Sequence, residues 1–267
     1  MAQKRTRTPG TPSTGPFPID TGTASFDPVP GAPGSFVLTV NGVPSSPYSA
    51  ADPRRLDFEY MRWAVAGIDT ALPGSTLRAL HVGGAACALP RRIAADRPGS
   101  RQTVVEIDAA LVTWVRAHLE LPRSPAVAVR AADGAAEIAA FRDDSLDLLV
   151  RDAFAGDATP AALQSPEWFS SVARVLRAEG LYASNVADRA GRSALREELR
   201  ALTGHFAHVC ALSGGRLAGR PGGNVMVFAS HRPLDPRELT RRARAEGCAV
   251  PVAHSRTELL SACGLPL

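Results

Sequence analysis

The stretch from Leu77 to Asp108, LRALHVGGAACALPRRIAADRPGSRQTVVEID, restricts the fold more than any other part of the chain. Leu77 to Val82 is a short apolar run that stops at Gly83-Gly84, the pattern of a buried parallel strand entering a tight turn. Ala85, Ala86 and Ala88 are small, so backbone can approach a ligand closely. Pro90 suits a first helical turn, where its missing N–H has no intrahelical use. A second strand, Gln102 to Ile107, carries Glu106 near its carboxyl end, 23 residues after Gly83. At that spacing in nucleotide-type α/β folds a carboxylate accepts the ribose hydroxyls. The turn is not G-x-G-x-x-G, and no charged group follows it to hold a pyrophosphate. An adenosine-type ligand without a diphosphate fits better, which points to S-adenosyl compounds rather than NAD.

The rest of the chain supplies matching elements. Residues 1–34 hold seven of the 22 prolines with many Ser, Thr and Gly, and read as a disordered tail. Residues 35–74 read as a small N-terminal unit. It has a hairpin turning at Asn41-Gly42, a short return strand broken by Pro44 and Pro47, and a helix opened by Asp52-Pro53. Residues 75–247 read as the nucleoside-binding catalytic domain. After the central stretch come a helix capped by Asp108, strands over 126–130 and 145–150, and a helix from Ser165-Pro166 closed by Gly180. A strand over 181–186, a helix over 191–203 and two strands joined by a glycine-rich loop follow. A last helix opens on a capping box, Asp235 with Glu238, and residues 248–267 read as a C-terminal tail with at most one short turn. Alternating strands and helices closed by an antiparallel hairpin predict an α/β, Rossmann-like, doubly wound sheet. Ligands in such sheets sit outside the carboxyl ends of the strands. Gly83, Glu106, Asp133 and Asp152 all fall at such ends.

Each candidate also has a plainer reading. Gly83-Gly84 suits any tight strand-to-helix turn, Asp133-Gly134 is a common turn dipeptide, and Asp108 is a helix cap. Asp152 follows the run LDLLVR, so an apolar strand delivers a carboxylate to the crevice mouth, placed either to accept a proton or to cap a loop. Asp157 reads as a solvated loop residue.

Composition excludes several functions. Of 30 basic residues only Lys4 is a lysine, so the core holds no Schiff-base, PLP or Walker lysine. The net charge of +4 comes from arginines spread along the chain, which argues against a nucleic-acid partner. The four cysteines form no C-x-x-C pair, and His205 with His208 lacks a third ligand, so no metal is expected. No apolar run approaches a membrane span and no signal peptide is evident, so no membrane association and a cytoplasmic location are expected.

The VVEID strand, the Asp133-Gly134 turn, the acidic end of the LDLLVRD strand and the segment SPEWFSSVARVLRAEGLYASNV resemble, in order and spacing, the spermidine/spermine synthase family of polyamine aminopropyltransferases. The likeness covers about residues 36–230. It implies a class I S-adenosylmethionine methyltransferase-type domain behind a small β domain, here a short hairpin. It implies transfer of an aminopropyl group from decarboxylated S-adenosylmethionine, a co-substrate rather than a prosthetic group, to an amine acceptor. On that resemblance Glu106 holds the ribose, Asp133 the adenine and Asp152 is the catalytic aspartate, with Gly83, Gly84, Gly134 and Tyr60 as further substrate-binding residues. Dimers are usual in the family, so a homodimer is the implied assembly.

The departures cluster where the family holds its ammonium groups. Ala86 stands near the place of the aspartate in the family's G-G-G-D-G-G, which grips the donor's aminopropyl ammonium; Ala155 takes the place of a second aspartate and Met61 that of the histidine in a Tyr-His pair, and the amine-contacting glutamine has no counterpart. Burying an ammonium without carboxylates is costly, so an altered acceptor is expected, with the N-terminal unit shortened and the acceptor side opened. Two alternatives stand: an S-adenosylmethionine-dependent methyltransferase, and a non-catalytic nucleoside-binding homologue.

Overall fold

The computed structural model describes residues 15–156, 158–189, 191–217 and 222–266. Asp157, the first 14 residues and part of the glycine-rich loop lie outside them.

The described chain begins with four strands: β1 (Phe17–Ile19), β2 (Gly22–Pro28), β3 (Ser35–Val40) and β4 (Val43–Ser49). They form an antiparallel sheet in that order. This corrects two expectations. Residues 17–28 are strands rather than tail, because Ile19, Ala24 and Phe26 are buried and Pro18 sits on an edge strand, where no ladder N–H is required. The N-terminal unit is therefore not reduced to one hairpin. The Asn41-Gly42 turn does join β3 to β4, with both residues at positive φ. β4 tolerates Pro44 and Pro47 because it is also an edge, with a bulge opposite Leu38/Thr39.

Helix α1 (Glu59–Ala71) starts later than the Asp52-Pro53 pair would place it. The Asp52 carboxylate closes a local turn instead, by accepting the Arg54 N–H at 2.8 Å. Strand β5 (Arg78–Val82), helix α2 (Ala88–Asp96), strand β6 (Arg101–Glu106) and helix α3 (Ala109–His118) follow. Next come β7 (Ala128–Ala131), the short α4 (Gly134–Glu137), β8 (Leu146–Arg151), α5 (Pro166–Val175), β9 (Leu176–Arg189) and α6 (Ser193–His205). Helix α5 runs straight into β9. Gly180 therefore lies inside a strand opposite an irregular register with β8 and does not close the helix. The chain ends with β10 (His208–Gly214), β11 (Gly222–Ser230), α7 (Pro236–Ala245), β12 (Pro251–His254) and α8 (Arg256–Ala262).

β12 pairs with β10, and α8 buries Leu259 and Leu260, so residues 251–262 belong to the fold and are not a tail. The capping box lies at Ser255 and Glu258, not at Asp235. Glu238 turns instead to Arg241 and Arg242.

The large sheet has the order β12-β10-β11-β9-β8-β5-β6-β7. β9, β8, β5, β6 and β7 are parallel, and β11, β10 and β12 are antiparallel. The chain winds outward from β5 through β6 and β7, then returns to β8 on its other side, so the order reverses at the carboxyl end of β5. A ligand crevice opens at that point in a doubly wound sheet. One face packs on α1 through Trp63, Ala64 and Ile68; Trp168, Phe169 and Val172 of α5 are buried in the cluster on the other. The small sheet rests on α3, with Phe17 stacked on Trp114 at 4.4 Å and Phe26 tilted against it at 5.3 Å. Arg91 of α2 lies 4.2 Å from the centre of the Tyr48 ring and donates to the Ser49 carbonyl, tying the small sheet to the large one.

Candidate active site

The turn after β5 is set by backbone geometry. Gly83 has φ +77°, and a Cβ there would overlap the carbonyl oxygen of Asp152. The Gly83 N–H donates to Val105 O and the Asp152 N–H to Val82 O, both at 2.9 Å, so the ends of β6, β5 and β8 are stitched together. Ala85 and Cys87 also hold positive φ, +40° and +58°, unfavourable for residues with a Cβ. Gly84 packs against Val104 and Gly134 against Val82, with no space for side chains.

Glu106 ends β6 half-buried beside this turn. Its Oε2 accepts the N–H groups of Gly84 and Ala85, each at 3.3 Å, and its Oε1 that of Asp108 at 3.4 Å. These are long, weak contacts. Burial, then the Glu106 charge, push the Cys87 thiol up to about 12, leaving it an inert core group. The Glu106 carbonyl takes the Ala132 N–H at 3.0 Å, which brings the next turn alongside. There Asp133 is exposed and caps α4 by accepting the Ala135 N–H at 2.8 Å.

Asp152 stands one residue past β8, half-buried. Its Oδ2 accepts from the Tyr60 hydroxyl at 3.0 Å and its Oδ1 from Asn185 Nδ2 at 2.9 Å. Burial raises its pKa, against the opposing pull of these two donors and of Arg151. Burial and the neighbouring carboxylate push the Tyr60 phenol well above its ordinary value, so Tyr60 is a donor across the working pH range. Beneath lies a buried ion pair, Arg151 to Glu198 at 2.9 Å. Arg151 also donates to Leu163 O, and Glu198 accepts from Ser184 at 2.7 Å and Tyr182 at 3.3 Å.

Gly83, Gly84, Glu106, Asp133, Gly134, Asp152 and Tyr60 therefore meet along one edge of the sheet. Sequence reasoning missed Asn185, Arg151 and Glu198. A charged residue closing an apolar strand was the available sign for Arg151; Glu198, between Leu195 and Leu199 on the buried face of α6, was the sign for its partner. Ala155 is exposed and bridges to Ala158, and Met61 is buried in the core under α1.

No protein-family model and no curated sequence matches this chain. Among solved structures, a probable spermidine synthase from Corynebacterium glutamicum is 32% identical, with 95% of each chain covered and a TM-score of 0.86. The chain belongs to the spermidine synthase family. A spermidine synthase in complex with the transition-state analogue AdoDATO superposes with TM-score 0.64 at 16% identity, over 94% of this chain and 84% of that one. Human methyltransferase-like protein 13 in complex with SAH gives 0.58 at 21%, over 79% and 94%. The last two share the fold: a class I methyltransferase-type α/β sheet.

Within this spermidine synthase-like chain, Ala86 is wholly buried, in one apolar cluster with Phe26, Leu38 and Leu111. No carboxylate stands at that point of the Gly83 turn. Among the described residues, no helix is long and apolar enough to cross a membrane.

Proposed function

We propose that this protein transfers an aminopropyl group from decarboxylated S-adenosylmethionine to an amine, releasing methylthioadenosine. The observation that carries this reading is the Asp152 carboxylate, held by Tyr60 and Asn185 at the reversal point of the sheet beside the Gly83 turn. Glu106 would exchange its long backbone contacts for the two ribose hydroxyls, and Asp133-Gly134 would meet the adenine. The amine nitrogen attacks the aminopropyl carbon next to the sulfonium. As the new C–N bond forms, the C–S bond breaks and its electron pair goes to sulfur. Asp152 takes the proton released by nitrogen. Its raised pKa strengthens it as a base, while Tyr60 and Asn185 fix the direction in which it accepts.

The acceptor proposed is an amine other than a simple diamine, because Ala155 and Met61 supply no charge to a second ammonium.

The buried, apolar Ala86 favours a second reading, methyl transfer from intact S-adenosylmethionine, since no carboxylate there would repel the donor's own. One assay separates the two: purified protein is given each donor with a panel of amines, and methylthioadenosine and S-adenosylhomocysteine are quantified. Methylthioadenosine formed with the decarboxylated donor and abolished by Asp152→Asn supports aminopropyl transfer. S-Adenosylhomocysteine from the intact donor moves the assignment to methyl transfer. Neither product from any amine would leave a nucleoside-binding homologue.

A further inference from the structure

The amino ends of the strands, opposite the Gly83 turn, carry a second concentration of charge. At or one residue past the starts of four adjacent strands stand Arg177 on β9, Asp147 on β8, Arg78 on β5 and Arg101 on β6. With Thr76 and Gly99 they line a cleft of about 470 Å³. The one carboxylate in this row is already engaged. Asp147 Oδ1 accepts from Arg177 Nη1 at 2.5 Å, and Oδ2 accepts the backbone N–H of Arg78 at 2.7 Å. Arg78 and Arg101 are register partners across β5 and β6. Among the described residues, neither guanidinium has an acidic partner.

Like charges directly opposite on neighbouring strands destabilise a sheet. The row nonetheless places two unpaired guanidiniums side by side in a concave site, with a third, Arg177, across Asp147. Each guanidinium is a planar fork of donors that matches two oxygens of one oxyanion. The row keeps two positive charges after Asp147 is counted, so a dianion balances it and a single carboxylate does not. The volume falls in the range of small-molecule sites, leaving space beyond a lone phosphate group.

We propose that this cleft binds a small phosphate-bearing anion, a phosphate monoester or an oligophosphate, with Arg78 and Arg101 as its principal ligands. The site lies at the opposite end of the strands from Asp152 and does not rest on the aminopropyl reading.

The test is calorimetric titration of the full chain, at fixed ionic strength, with inorganic phosphate, glycerol 3-phosphate and tripolyphosphate. Saturable binding is expected at one equivalent, tightest for the most highly charged or best-fitting probe. Arg78→Gln and Arg101→Gln should each weaken it at least about tenfold, the loss of one charge-assisted contact. Arg216→Gln, which removes an exposed charge past the end of β10, at the opposite end of the sheet, should leave it unchanged. Both test residues are exposed, so circular dichroism should report an intact fold in each variant. Absence of saturable binding by all three probes would overturn the proposal. So would equal weakening by Arg216→Gln and Arg101→Gln, which would mark a general response to net charge.

Discussion

The phenol hydroxyl of Tyr60 donates to Oδ2 of Asp152 at 3.0 Å, joining α1 to the carboxyl end of β8. A hydrogen bond to the charged form favours that form, so Tyr60 draws the raised pKa of Asp152 back down. If Asp152 is the base, activity rises with pH as it loses its proton, with the acid limb above the ordinary carboxylate range. Tyr60→Phe should move that limb to higher pH in a profile of kcat/KM. Asp152→Asn should lower turnover by about 10²–10⁴-fold, the usual worth of a positioned base. A limb that Tyr60→Phe leaves in place would remove Asp152 from that role.

Gly83→Ala should cost more than an ordinary loop substitution. The residue combines φ +77° with contact against the Asp152 carbonyl, so an added methyl must bear the left-handed backbone and push β8 away. A destabilisation of about 1–3 kcal/mol is expected from the strained backbone alone. Urea denaturation reads it, and an unchanged midpoint would contradict the observed packing.

Glu106→Ala removes the proposed acceptor for the ribose hydroxyls while sparing the backbone of the turn. Affinity for methylthioadenosine should fall at least about tenfold, since hydrogen bonds to a charged group contribute roughly 1.5–3 kcal/mol. Calorimetry of both proteins decides the point. Equal affinity would place the nucleoside elsewhere.

Arg151 and Glu198 are both fully buried, so breaking their pair from one side strands a charge. Glu198→Ala should destabilise by about 3–5 kcal/mol. The double replacement Arg151→Met with Glu198→Leu should recover much of that loss, because neither charge then stays in the core. A double variant no more stable than the single one would show that the pair is worth more than its desolvation.

His81 is buried on β5, and its Nε2 faces Gln102 Oε1 at 3.0 Å. The Gln102 amide nitrogen donates to Pro90 O and Ala126 O, which leaves its oxygen to accept from the imidazole. Burial lowers the His81 pKa from 6.5 to about 4, partly offset by the Gln102 bond. The unfolded chain therefore binds a proton that the folded chain refuses. The stability it contributes is complete above about pH 6.5 and is lost as pH falls towards 4. In His81→Asn that part of the decline should vanish. Stability curves of the two proteins that run parallel between pH 6.5 and 4 would refute it.

What could be read from sequence was whatever local periodicity encodes. β5 and β6 are apolar runs that stop at Gly83 and Glu106, and their spacing located the turn and its carboxylate before any fold was known. β1 and β2 were hidden because proline content outweighed the short alternation of Ala24 and Phe26, whose burial depends on Trp114 almost 90 residues on. Asn185 left no trace: a neutral amide near the end of a buried strand becomes meaningful only once β9 lies beside β8. Gly180 misled for the same reason, since its irregular register belongs to a pairing rather than to the chain itself.

Ala85 and Ala86 pack into the apolar cluster that holds Phe26, Leu38 and Tyr48 of the small sheet. The Gly83 turn and the N-terminal strands thus share one interior surface. A relative that exchanged this sheet by recombination would inherit a turn with the wrong neighbours. Such a lineage is therefore expected to change by paired substitutions across that seam, rather than by wholesale replacement of the front of the molecule.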